Sequence, residues 1–142
     1  MATIRPFEPA DYDAAFALWE ATPGVGLSAA DERGPIERYL RRNPGLSFVA
    51  MEGEAMVGTI LCGHDGRRGL VHHLMTVPGE RRKGTGSALL RAGLGALREQ
   101  GIDKCHLLVV GDNRAGLDFW RAAGAVERTE LALLSILTEV KP

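Results

Sequence analysis

The sequence predicts an α/β domain of the α+β kind, built on a mixed, mostly antiparallel central sheet flanked by about four helices. Three observations predict it. Apolar residues alternate between runs of period two and stretches of period 3.6, and turn-forming residues fall singly between them. The chain has 142 residues with 45% hydrophobic and 25% charged side chains, the size at which one globular domain builds one adequate core. The elements run strand, two helices, an antiparallel meander, helix, strand, helix, strand, and we expect residues 1–142 to form a single domain.

Thr3 to Phe7 reads as a short strand. Pro9 and Asp11 then open a helix whose Tyr12, Ala15, Phe16 and Trp19 recur at i, i+3, i+4 and i+7, the spacing of a core-facing stripe. Pro23-Gly24 ends it, residues 24–35 are irregular, and a second helix carrying Ile36, Tyr39 and Leu40 stops at Asn43-Pro44-Gly45. Leu46 to Glu52 and Ala55 to His64 are strands about a tight Glu52-Gly53-Glu54 turn, and Leu70 to Val77 is the third strand of this group. A helix follows from about Gly84 to Gln100, with Leu90, Leu94 and Leu97 as its apolar stripe and Gly101 as its left-handed cap. Lys104 to Val110 reads as a buried strand, Arg114 to Ala123 as a helix closed by Gly124, and Leu131 to Thr138 as a final strand.

Charge narrows the partners. Seventeen Lys and Arg against 18 Asp and Glu leave no global basic surplus to hold a nucleic acid or an anionic membrane, so anion binding must be local. The N-terminus has no apolar stretch with a cleavage site and no run reaches membrane-spanning length, so the expectation is a soluble, cytoplasmic protein. Cys62 and Cys105 lack metal-ligand spacing and are expected as buried reduced thiols, with no metal site.

The chemistry centres on Pro78-Gly79-Glu80-Arg81-Arg82-Lys83-Gly84-Thr85-Gly86-Ser87, between a strand and a leucine-rich helix. A helix start presents unpaired N–H groups and roughly half a positive charge, which suits phosphate when the backbone can approach closely. Gly84 and Gly86 permit that approach, and Arg81, Arg82 and Lys83 add cations. A solvated turn would show the same glycines. A nucleotide-triphosphate loop is disfavoured because Thr85 follows Gly84 where Lys would be required, and a dinucleotide fingerprint would need glycine at Leu89.

Arg81-Arg82-Lys83-Gly84-Thr85-Gly86 matches R/Q-x-x-G-x-G/A, and with the preceding Leu74-Met75-Thr76-Val77-Pro78 the chain resembles the GNAT superfamily of N-acetyltransferases. The resemblance spans nearly the whole chain, since the order of elements is also the family's. It implies acetyl-CoA as cosubstrate, with Arg82 to Ser87 on its pyrophosphate and the backbone of Leu74, Met75 and Thr76 paired with the pantetheine arm like an added strand. It further implies a sheet splayed at that point, and a backbone N–H near Leu74 or Met75 meeting the acetyl carbonyl. Asn113, ahead of Arg114 to Gly124, falls where the family's Asn helps hold the cofactor; as a plain helix N-cap it would look the same.

The pattern breaks at two places. Trp120 stands where many members place a tyrosine acid, and Leu108 where some place a glutamate base. Indole cannot supply a proton near neutral pH, although a thiol of pKa about 8.5 leaves fairly well unaided. Tyr12 and Tyr39 are the only tyrosines, and neither lies on a matching motif. His72 resembles a histidine of arylalkylamine N-acetyltransferases and is the expected base, with His64 and His73 as weaker candidates. By alternation only one of His72 and His73 faces the cleft. A hydrogen-bonded structural imidazole is the alternative.

The first two helices and residues 22–35 should wall the acceptor site. Asp31, Glu32 and Glu37 fit a solvated helix face better than an amine site, and Tyr12 and Trp19 fit a core. The expected activity is N-acetyl transfer to a small-molecule or peptide amine by direct attack in a ternary complex. An acyl-CoA-binding sensor that has lost catalysis is the competing reading, motivated by Trp120 and Leu108. The sequence leaves oligomeric state, a homodimer included, open.

Overall fold

The computed structural model describes residues 1–139. Their contacts divide into two compact units, Met1–Val110 and a second beginning at Gly111. The first holds a five-stranded sheet: β1 (Thr3–Pro6), β2 (Phe48–Glu52), β3 (Ala55–His64), β4 (Gly69–Thr76) and β5 (Cys105–Leu107), side by side in chain order. The first four are antiparallel; β5 runs parallel to β4, which makes the sheet mixed as expected. Helices α1 (Tyr12–Ala21), α2 (Arg33–Arg42) and α3 (Thr85–Glu99) belong to this unit, and α4 (Arg114–Ala122) to the second.

β3 is buried on both faces, so its alternation sorts the core into two layers. Leu61 joins Val49 and Met75 against Tyr12, Ala15 and Trp19 of α1 and Ile36 and Leu40 of α2. Gly58, Ile60 and Cys62 turn the other way, toward α3. A Cβ at Gly93 would lie 2.7 Å from Cys62 Sγ and 3.1 Å from Ile60 Cδ1, so a glycine lets α3 sit close to the sheet. The buried stripe of α3 is therefore Leu89, Leu90, Gly93 and Leu97, while Leu94, expected inside, is 39% exposed. Gly101 ends the helix in the left-handed region at φ +83°, where a Cβ would crowd the backbone.

Two expected strands differ. β5 spans three half-buried residues instead of Lys104 to Val110, and Leu108 is 65% exposed. It pairs with β4 only from Gly69↔Cys105 to Val71↔Leu107, and among the described residues no strand lies on its other side to extend the ladder. Residues 131–138 form no strand, and Leu133, Leu134, Ile136 and Leu137 are exposed. Their unit contains no strand among the described residues, and extended backbone persists as a strand only when a neighbour takes up its N–H and C=O groups.

Candidate active site

Two features of the first unit converge in sequence on residues 72–87: a stretch of β4 that is unpaired on its β5 side and the start of α3. Gly84 is the N-cap residue of α3 at φ +81°, with no side chain capping the helix. Its carbonyl accepts the first helical bond, from Ala88 N at 2.9 Å. The N–H groups of Thr85, Gly86 and Ser87 precede that bond and have no intrahelical acceptor. Arg82 is also left-handed, at φ +66°, so the loop doubles back twice within three residues. Open space surrounds Gly84 where a Cβ would stand. Arg81 and Arg82 are exposed, and among the described residues neither forms an ion pair. The arrangement is a cationic cradle of backbone donors, chemically suited to a phosphate or diphosphate.

The residue that shapes this loop was not singled out from the sequence. Glu80 is only 3% exposed, and its carboxylate accepts the Thr85 hydroxyl at 3.0 Å and the Lys83 ammonium at 3.2 Å. Lys83 also reaches Glu52 at 3.5 Å, and these carboxylates, Glu80 foremost, raise its pKa. Lys83 and the Thr85 side chain are thus drawn back onto the protein, leaving Arg81, Arg82 and the peptide N–H groups facing outward. The five-residue spacing from Glu80 to Thr85 carries no periodic signal, since the chain between them is neither helix nor strand throughout.

On β4 the register changes. Leu61 pairs with His72 and Thr59 with Met75, so His73 and Leu74 together oppose Ile60, a β-bulge. His73 occupies φ +48°, a conformation costing a non-glycine residue about 1–3 kcal/mol and held only where the surroundings over-determine it. They do so here. His73 Nε2 donates to Asp31 Oδ1 at 2.6 Å, its ring packs on Trp19 at 4.6 Å between centroids, and its carbonyl accepts the Thr59 hydroxyl at 2.7 Å. From His72 onward β4 has no partner on its β5 side, because the parallel ladder ends at Val71. The backbone edge of Leu74, Met75 and Thr76 therefore lies open, and the expected splay is present.

The bulge overturns the alternation argument. His72 meets Tyr39 from α2 edge to face, and His73 packs at a tilt against Trp19 from α1, so both imidazoles lie on the face covered by those helices. Their rings are 6.4 Å apart. Burial lowers the His72 pKa, with His73 acting in the same direction and Asp31 opposing, so the ring favours its neutral, proton-accepting form. Among the described residues His72 forms no side-chain hydrogen bond, whereas His73 is committed to Asp31. His64 is also committed: its Nδ1 accepts from Gly66 N and its Nε2 bonds Gln100.

Asp31 corrects a second expectation. It is not a solvated helix carboxylate but 8% exposed, with Oδ2 accepting from Ser28 N at 2.9 Å while Oδ1 takes His73, and its carbonyl accepts the Tyr12 hydroxyl at 2.7 Å. Tyr12 and Trp19 are core residues. Among the described residues the buried Tyr39 hydroxyl has no partner, and burial raises the pKa of both tyrosines, so neither supplies a proton near neutral pH. Cys62 and Cys105 are free thiols; burial pushes Cys62 up to about 12.

In the second unit Asn113 caps α4, its Oδ1 accepting from Gly116 N at 3.0 Å. The capping function is present. Trp120 is partly buried and packs edge-on against Phe119.

Solved acetyltransferases share this fold. The chain is similar to Ard1 from Thermoplasma volcanium, with TM-score 0.77 and 25% identity over 88% of this chain and 82% of that one. It is also similar to a predicted acetyltransferase from Clostridium acetobutylicum, solved with acetyl-CoA, with TM-score 0.70 and 16% identity over 95% and 96% of the two chains. Among curated proteins, an acetyltransferase of Pectobacterium atrosepticum is 32% identical over 135 residues, covering 95% of this chain and 91% of its own. One from Photorhabdus laumondii is 36% identical over 116 residues, covering 79% and 78%. The model of the Acetyltransferase (GNAT) family matches residues 12–125, and the chain belongs to that family.

Proposed function

We propose that the protein transfers the acetyl group of acetyl-CoA to an amine, a small molecule or a peptide, by direct attack in a ternary complex. The observation that carries this reading is the continuity of the open β4 edge, residues 74–76, with the uncapped start of α3. Arg81, Arg82 and the N–H groups from Gly84 to Ser87 hold the diphosphate, with Lys83 steadying the loop from Glu80. The pantetheine amides lie along Leu74, Met75 and Thr76. A structure of the relative from Clostridium acetobutylicum with acetyl-CoA supports this cosubstrate.

The amine enters from the face bearing α1 and α2. His72, neutral because it is buried, takes the proton that the amine loses, while nitrogen attacks the thioester carbonyl and the Leu74 N–H meets the oxyanion. The carbon–sulfur bond then breaks, and the thiolate leaves with a proton from solvent, since Trp120 and the two tyrosines supply none. We read residues 1–142 as one catalytic domain acting in the cytoplasm.

Titration calorimetry with acetyl-CoA, coupled to thiol release over a panel of amines, tests the reading. Binding with turnover on at least one amine is expected, and His72→Ala should lower turnover while leaving affinity within a few-fold. No binding at millimolar acetyl-CoA would refute it. Tight binding with no release on any amine would favour the acyl-CoA sensor, a reading that Trp120 at the usual acid position supports.

A further inference from the structure

One polar side chain in the core has no part in the chemistry above. Thr59 is fully buried in the middle of β3, in the layer between the sheet and α1. Its hydroxyl accepts the Trp19 indole N–H at 2.9 Å and donates to the His73 carbonyl at 2.7 Å. Trp19 is itself fully buried, so the donor that fixes the hydroxyl cannot drift. Two buried polar groups and a backbone carbonyl thus form a short chain from α1 through β3 to the bulge of β4. A valine would fill the same space in an apolar layer without needing either partner.

What the chain controls follows from peptide geometry. The His73–Leu74 peptide is planar and trans, so its C=O and N–H point in opposite directions. With the carbonyl turned toward the Thr59 hydroxyl, the Leu74 N–H points the opposite way, away from that hydroxyl, in the stretch of β4 that has no strand partner on its β5 side beyond Val71. The Asp31 bond holds only the His73 side chain, not its carbonyl, so the Thr59 hydroxyl is the side-chain group that fixes this peptide's orientation.

We propose that Thr59 is a positioning residue for acyl transfer: the buried Trp19–Thr59–His73 hydrogen-bond chain locks the His73–Leu74 peptide so that the Leu74 N–H faces the reacting carbonyl. The inference rests on the acyl-transfer reading and adds to it the residue that aims the oxyanion donor. Removing one such donor lowers turnover by about 10² to 10³. Releasing its aim should cost part of that, about 10- to 100-fold.

The test compares Thr59→Val, Thr59→Ser and the double variant Trp19→Phe, Thr59→Val. The double variant removes both the hydroxyl and the indole donor, so folding does not suffer an orphaned N–H. Full-length ¹⁵N-labelled protein is titrated with acetyl-CoA and with CoA, and kcat and KM are measured with any amine that wild type acetylates. Wild type and Thr59→Ser should show a Leu74 amide resonance that differs between acetyl-CoA and CoA. The Thr59→Val variants should lose that difference and about 10- to 100-fold in kcat, with KM for acetyl-CoA within a few-fold of wild type. Equal kcat and an unchanged Leu74 signature in the folded double variant would overturn the assignment of Thr59. Absence of any acetyl-CoA response at residues 74–76 in wild type would instead overturn the acyl-transfer reading beneath it.

Discussion

Glu80 offers the sharpest energetic test of how the loop before α3 is built. Glu80→Ala deletes the acceptor of the Thr85 hydroxyl, which sits 3.0 Å away and is 5% exposed as a residue. A hydrogen bond to a charged group contributes about 1.5–3 kcal/mol, and a buried hydroxyl left without a partner costs about 1–3 kcal/mol. These overlap, being two descriptions of one loss, so the expected destabilisation is about 2–3 kcal/mol. Lys83 adds little, because its ammonium is half exposed and solvent takes over its pairing. At about 2–4 °C per kcal/mol for chains slightly longer than this one, the melting temperature should fall by about 4–12 °C. Thr85→Val on the Glu80→Ala background removes the orphan and should recover about 1 kcal/mol, although alone it destabilises by stranding the carboxylate. Urea denaturation of the four proteins gives the coupling directly, and acetyl-CoA titration of the same set should show weakened binding in Glu80→Ala as the loop loosens. Additivity within about 0.5 kcal/mol would show that the two side chains do not act as a pair, and the account of the loop would fail.

Gly84→Val forces a β-branched residue to φ +81°, at a cost of about 1–3 kcal/mol, and should raise the acetyl-CoA dissociation constant about tenfold or more in calorimetry; an unchanged constant would count against the cradle. The pH profile of kcat/KM should carry an acid limb below about 6.5, the ordinary histidine value, because burial lowers the His72 pKa and the working neutral form is lost only beneath the lowered value. For stability the sign is the same: the folded state binds the His72 proton less tightly than the unfolded chain, so this contribution is complete above the unfolded value and is lost as pH falls through the folded one. A limb above 6.5, or one that survives His72→Gln, would remove His72 from the role. Gly63→Ala places a Cβ 2.7 Å from Tyr39 Oη and Asn43 Nδ2, and Asn43 is tied to His64 N and the Tyr39 carbonyl, so about 1–3 kcal/mol of overpacking should appear in thermal melts; wild-type stability would contradict that packing.

By itself the sequence determined whatever depends on near neighbours along the chain. Pro9 and Asp11 before an i, i+3, i+4 stripe mark α1, Gly101 marks the end of α3, and Gly84 marks its start. Each signal acts within one or two turns of backbone, so no partner elsewhere is needed to read it. Only the tertiary structure decided the rest. Strict alternation along β4 predicts one inward histidine, and it fails because the bulge opposite Ile60 depends on the register of β3. Asp31 looks like a surface carboxylate until His73, 42 residues away, is folded against it, and Thr59 looks like an ordinary strand residue until Trp19 reaches it across 40 residues. The strand expected at 131–138 shows the same limit, since an apolar run states a preference for extension but a ladder requires a second edge. Hydrogen bonds over such separations have no periodicity to leave in a sequence; they exist only once the layers have packed.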